Sequence, residues 1–129
     1  MAEALFRSTS EKYALGLHIS SAGVAATVGR PPPHMVIALM KKHGLDVSNY
    51  QAKQLDATLA SQQDLILVME ASHQKFIRQN WIHLTGRVRL LGEWRNAEIS
   101  DPFGGDDAFY SECLAHIASC VDDWKARLQ

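Results

Sequence analysis

Asp64-Leu65-Ile66-Leu67-Val68-Met69-Glu70 holds five consecutive aliphatic residues between two acids. A run this short and this apolar reads as a strand covered on both faces, the environment of a parallel sheet flanked by helices. Upstream, residues 1 to 14 predict a helix with Ala4, Leu5 and Phe6 inward, and Leu17 to Ser21 predicts a strand. A second helix is expected from Pro32 or Pro33, where proline is tolerated in a first turn. It carries Val36, Leu39 and Met40 on one face and ends at Gly44 after Lys41, Lys42 and His43. Downstream, a helix from about Ser72 to Gln79 and a strand from Arg87 to Leu91 precede a last helix from about Asp107 to Leu128. There Tyr110, Leu114, Ile117, Val121, Trp124 and Leu128 recur at three- and four-residue spacing, the mark of a core-facing stripe. Helices alternating with short aliphatic strands define an α/β class: three layers, α/β/α, with a short parallel sheet.

Composition narrows the function. The chain has 129 residues, 47% hydrophobic and 21% charged, as expected of one globular domain spanning 1–129. A formal net charge of −1, with no basic stripe, supplies no electrostatic source for nucleic-acid binding. No run approaches the about 18 apolar residues that cross a bilayer, and no leader-like segment opens the chain, so a cytoplasmic location without membrane insertion is expected. Cys113 and Cys120 are seven positions apart on the last helix, about 10 Å along its axis, too far to bridge. They read as small core residues in a reducing compartment. Cys113, His116 and Cys120 share a helical face but lack the paired spacing of a zinc site. His18, His34, His43, His73 and His83 form no ligand or triad pattern and read as solvated or helix-capping residues.

Several separate stretches carry a resemblance. Met1-Ala2-Glu3-Ala4-Leu5 resembles the start of the helix that follows the phosphate-binding loop in the low-molecular-weight protein tyrosine phosphatases. Ser20-Ser21-Ala22-Gly23 is similar to the family's S-A-G/T turn, Val28-Gly29-Arg30-Pro31-Pro32 to its G-x-P-P/A segment, and Lys42-His43-Gly44-Leu45 to its K-x-H-G-I/L helix end. Asp64 to Glu70 resembles its D-x-I-L-x-M-D/E strand, and Asp101-Pro102-Phe103 its D-P-[YF] loop. Order and spacing make the resemblance specific from Met1 to about Leu128. Gly86 to Trp94 is closest to the bacterial branch paired with tyrosine kinases that govern exopolysaccharide export.

The resemblance implies a cofactor-free reaction. A cysteine thiolate, its pKa lowered by a helix N-terminus and loop amides, attacks the phosphate ester. An arginine clamps the phosphoryl oxygens and an aspartic acid protonates the leaving phenolate. Asp101 matches that general acid; read on its own it is also a turn-forming Asp before Pro. Phe103 stands where the family places a ring beside the substrate's phenyl group, the alternative being a loop aromatic packed on the core. These 129 residues contain no C-x-x-x-x-x-R-S-P, so the nucleophile and the clamp are absent from them. Cys113 and Cys120 lie in a helix interior without free amides and cannot replace the nucleophile; their six-residue separation matches the cysteine pair of related arsenate reductases only by coincidence. Tyr50 replaces the histidine that braces the phosphate loop in some members, while Ser21, its usual network companion, is present.

In the family the strand before that loop is central, between those corresponding to Leu17–Ser21 and Leu65–Met69. Without it, about five buried aliphatic side chains at roughly 1.5–3 kcal/mol each are missing, on the order of 10 kcal/mol. A domain's whole stability is about 5–15 kcal/mol. The expectation is a marginal fold that pairs the flanking strands directly or self-associates. Met1 reads as an internal methionine of a tyrosine phosphatase acting on phosphotyrosine proteins, with a cognate kinase as partner, and the 129 residues alone as inactive. The alternative is a catalytically dead relative that binds phosphotyrosine proteins or a kinase.

Overall fold

The computed structural model describes residues 1–129. Five α-helices and two strands follow in the order α1 (Ala2–Lys12), α2 (His34–Lys42), α3 (Ala57–Ser61), β1 (Ile66–Val68), α4 (Ala71–Asn80), β2 (Val88–Leu90) and α5 (Asp107–Leu128). Short 3-10 turns at Ile82–Arg87 and Glu93–Arg95 flank β2. β1 and β2 pair in parallel with Ile66 opposite Val88 and Val68 opposite Leu90.

The alternation of side chains along β1 builds the layers, because successive strand residues point to opposite faces. Leu65, Leu67 and Met69 pack with Leu91, Ile99, Ile117, Val121 and Trp124, on the side of α1 and α5. Ile66 joins Val68, Ala60, Ile77, Leu84 and Val88 on the side of α3 and α4. A sheet thus lies between two helical layers. A third cluster joins α1, α2 and α5 through Ala4, Val36, Met40, Val47, Tyr110 and Leu114. Trp124 closes the α5 side, donating its indole N–H to the Leu91 carbonyl at 2.8 Å.

Local signals place the helix ends. Gly44, at φ +76, reverses the chain after α2, a left-handed conformation that glycine adopts without strain. Asp106 caps α5, its Oδ1 accepting from the Phe109 amide at 3.0 Å, and Asp56 caps α3 through the Leu59 amide at 2.7 Å. The stripe on α5 is buried from Tyr110 to Trp124 and half-buried at Leu128.

Two expectations are corrected. Leu17–Ser21 is not a strand: it has no ladder partner, and Leu17 is held instead by its amide donating to the Ser10 hydroxyl at 3.1 Å. Leu17 and Ile19 are half-buried while His18 and Ser20 are exposed, so the alternation of a strand survives without its hydrogen bonds. The flanking segments do not pair directly, since β1 bonds only β2 in a two-stranded sheet. The run 65–69 does have helices over both faces, yet only Val68 is buried; Leu65, Ile66, Leu67 and Met69 are half-exposed, and one edge of β1 is open.

Candidate functional site

The first turn of α1 organises the site. Glu3 accepts a hydrogen bond from the Ser21 hydroxyl at 2.6 Å through Oε1 and pairs with Arg7 Nε at 3.0 Å through Oε2. Arg7 in turn donates to the Ile19 carbonyl at 2.8 Å, and its guanidinium lies 5.9 Å from the centre of the Tyr50 ring. The Glu3 side chain is only 10% exposed, so this carboxylate is shielded and its two partners satisfy it. Burial raises the Tyr50 phenol above its ordinary value, with Glu3 adding to the shift and Arg7 opposing it. Tyr50 therefore does stand against this turn. Its link to Ser21 runs through Arg7 and Glu3, because the Ser21 hydroxyl is committed to Glu3.

The loop after β2 meets the same turn. Cys113 on α5 donates its thiol to the Ser100 carbonyl, Sγ to O 3.9 Å, and burial raises the thiol's pKa. Cys113 shares a cluster with Met1, Ala2 and Leu5 of the first turn of α1. The Asp101 loop, through Ser100, and the start of α1 thus both meet Cys113.

Asp101 is exposed, and its Oδ1 accepts from the Phe103 amide at 2.9 Å. The turn-forming reading is therefore realised, and Oδ2 makes no hydrogen bond within the protein. Gly105 closes the loop by donating to the Pro102 carbonyl at 2.8 Å. Phe103 is 65% exposed and does not pack on the core; the Arg30 guanidinium lies 5.7 Å from its ring centre. A second loop, residues 23–30, is held opposite by Gln54, which accepts from the Ala26 amide at 2.9 Å and donates to the Val24 carbonyl at 3.0 Å. Glu3, Arg7, Arg30 and Gln54 were not singled out from sequence. Glu3 and Arg7 stand four apart on one helix, which signals a pair but not its partners.

Other candidates are placed elsewhere. Cys120 is buried and Cys113 half-buried, both as free thiols, and no three His, Cys, Asp or Glu side chains gather as a metal site. His43 Nδ1 is 3.0 Å from the Leu39 carbonyl at the end of α2, while His18 and His34 are exposed. An open groove of about 280 Å³ runs along Arg7, Ser10, Glu11, Leu17, His18 and Ile19, with no residue of the Asp101 loop in its lining. None of the helices is long and apolar enough to cross a membrane.

The sequence profile of the low molecular weight phosphotyrosine protein phosphatases matches residues 1–129. The chain belongs to that family. It is 40% identical to the low molecular weight protein-tyrosine-phosphatase Ptp of Acinetobacter johnsonii over 108 residues, 84% of this chain and 76% of that protein. It is 35% identical to the probable low molecular weight protein-tyrosine-phosphatase EpsP of Ralstonia nicotianae over 129 residues, all of this chain and 86% of that one. Wzb of Vibrio vulnificus, solved with benzylphosphonate, superposes with a TM-score of 0.89 at 29% identity, covering 98% of this chain and 87% of Wzb. The three-layer arrangement is that of this family, on a scaffold that aligns to most but not all of its relatives' length.

Proposed function

We propose that residues 1–129 are the scaffold of a bacterial protein tyrosine phosphatase in which Asp101 is the general acid and Phe103 lies beside the substrate's phenyl ring. In this reading the thiolate and its arginine clamp come from outside these 129 residues, and the 129-residue polypeptide by itself does not hydrolyse phosphate esters. The observation that carries the reading is the convergence on Cys113: its thiol reaches the Ser100 carbonyl beside Asp101, and it shares a cluster with Met1, Ala2 and Leu5, which brings the Asp101 loop to the first turn of α1. An α-helix N-terminus favours a phosphoryl group, and an acid must stand within reach of the oxygen that leaves it. Asp101 Oδ2, free of protein partners, is available to carry that proton. The exposed Phe103 ring suits an aryl ester, and the benzylphosphonate bound to Wzb has the same shape of ligand, an anion on a phenyl ring.

The substrate is then a phosphotyrosine protein, and a cognate bacterial tyrosine kinase of the exopolysaccharide-associated branch is the natural partner, both in the cytoplasm. Cys113 and Cys120 serve the core as part of one domain. The open edge of β1 favours self-association of the 129-residue form, because unpaired strand groups are templates for another chain.

Aryl phosphate hydrolysis tests the reading. The purified 129-residue chain is expected to show no turnover above background, and fusion of a strand and C-x-x-x-x-x-R-S-P loop from a relative ahead of Met1 is expected to create activity. Turnover by the unfused chain that Cys113→Ser or Cys120→Ser abolishes would overturn it.

A further inference from the structure

Glu98 stands three residues before Asp101, and its side chain reaches far along the sequence. Its Oε1 accepts a hydrogen bond from the Ala71 amide, 27 positions away. No cationic side chain lies within ion-pair distance of it, so a backbone amide is the partner of this carboxylate. Ala71 opens α4, and the residue before it, Glu70, supplies no side-chain cap. The first amides of a helix lack partners within the helix, and its positive end favours a carboxylate. Glu98 therefore caps α4 from the segment that leads into the Asp101 loop.

The next residue grips the same junction. The Ile99 amide donates to the Met69 carbonyl at 2.9 Å, and the Ile99 side chain is buried with Leu91, Ile117 and Trp124. Residues 98 and 99 thus hold the turn from β1 into α4 at Ala71 and at Met69. Between Ile99 and the turn at Asp101, the Cys113 thiol reaching the Ser100 carbonyl is the one further hydrogen bond. The bond at Ile99 fixes one point about which the following residues can swivel. A second bond, to a different element, removes that freedom. Because α4 and α5 lie on opposite faces of the sheet, the stem of the loop is braced from both layers, by Glu98 on one and through Ser100 on the other.

We propose that Glu98 is a positioning residue, which fixes the stem of the loop on the N-terminus of α4 and thereby the place where Asp101 presents its carboxylate. This rests on the reading of Asp101 as the general acid. Glu98 acts through Asp101 and makes no contact with substrate itself.

The test compares Glu98→Ala, which removes the acceptor, with Glu98→Gln, which keeps an oxygen in its place. In the isotope-labelled 129-residue chain, Glu98→Ala is expected to speed hydrogen exchange at the Ala71 and Phe103 amides about three- to tenfold, the factor that one hydrogen bond supplies. The Phe109 amide, bonded in the same manner to Asp106, is expected to keep its rate, which separates a local effect from a general loosening of the fold. Glu98→Gln is expected to restore most of the protection. In the fused, loop-bearing form, Glu98→Ala is expected to lower turnover of phenyl phosphate about tenfold, within what about 1 Å of misplacement costs, and turnover of nitrophenyl phosphate far less. An unchanged rate at Phe103, an equal rise at Phe109, no rescue by glutamine, or equal losses with two esters that Asp101→Asn tells apart would overturn the proposal. If Asp101→Asn leaves turnover unchanged, the reading of the acid fails instead, and the exchange rates, measured without substrate, remain a separate result.

Discussion

At the residue scale, the proposed reading gives Asp101 two tasks that one carboxylate can perform together. Oδ1 shapes the turn by accepting from the Phe103 amide, and Oδ2 stays available for a proton. In the fused, loop-bearing form Asp101→Asn is expected to lower turnover by roughly 10²–10⁴-fold with a poor leaving group, the range for loss of a general acid. The loss should shrink for nitrophenyl phosphate, whose leaving group needs less protonation. Asp106 is the contrasting case: it caps α5, so Asp106→Ala should cost about 1 kcal/mol of stability, read from a denaturant midpoint, with little change in turnover. Comparable losses of turnover at both positions would remove the assignment of the acid. The thiols make a further prediction. Burial raises the pKa of Cys113 and of Cys120, so the folded state keeps both neutral while an unfolded chain ionises them above about 8.5. Their contribution to stability is complete below that pH and declines as pH rises toward the raised folded values. Denaturation followed from pH 7 to 10 should show this fall, and Cys113→Ala with Cys120→Ala should flatten it.

At the element scale, the helices follow their own sequences closely, because capping and an apolar stripe act within one turn or two. α5 needs only Asp106 and the stripe from Tyr110 onward to be placed. A strand needs a neighbour. Leu17–Ser21 has the side-chain alternation of one and lacks the ladder, since the hydrogen bonds that would define it depend on a second segment alongside. The loop carrying Asp101 depends on packing of another kind. A Cβ added at Gly105 would stand 2.8 Å from the Pro102 carbonyl oxygen and 2.9 Å from Phe109 Cβ. Gly105→Ala is therefore expected to displace the loop from α5 and to reduce turnover of the loop-bearing form more than it lowers the melting temperature. On the opposite layer, Ile77 is fully buried against Val68 and Leu84, so Ile77→Ala should cost about 2–5 kcal/mol in denaturant unfolding.

At the scale of the whole molecule, a two-stranded parallel sheet between two helical layers leaves half-exposed aliphatic side chains along 65–69 and unpaired backbone on one edge of β1. Sheets this small gain independent stability only through packing on helices. Light scattering of the 129-residue chain should detect dimers or larger species whose fraction rises with concentration. A monodisperse monomer with a sharp, cooperative melt would show instead that the two helical layers suffice.

The amino-acid sequence by itself determined the α/β class, the strands at 65–69 and 87–91, the long helices with the glycine stop after α2, and a turn as one of two readings of Asp101. Each of these depends on side chains within a few positions of one another, whose spacing is visible in a linear string. Only the tertiary structure decided that 65–69 is half-open, that 17–21 is extended without being a strand, and that Phe103 faces solvent beneath Arg30. It also decided that Ser21, Glu3, Arg7 and Tyr50 meet in one network, although they come from three separate segments. Those features depend on which segments become neighbours and on which backbone groups are left over, and neither is written in the local pattern of any one of them.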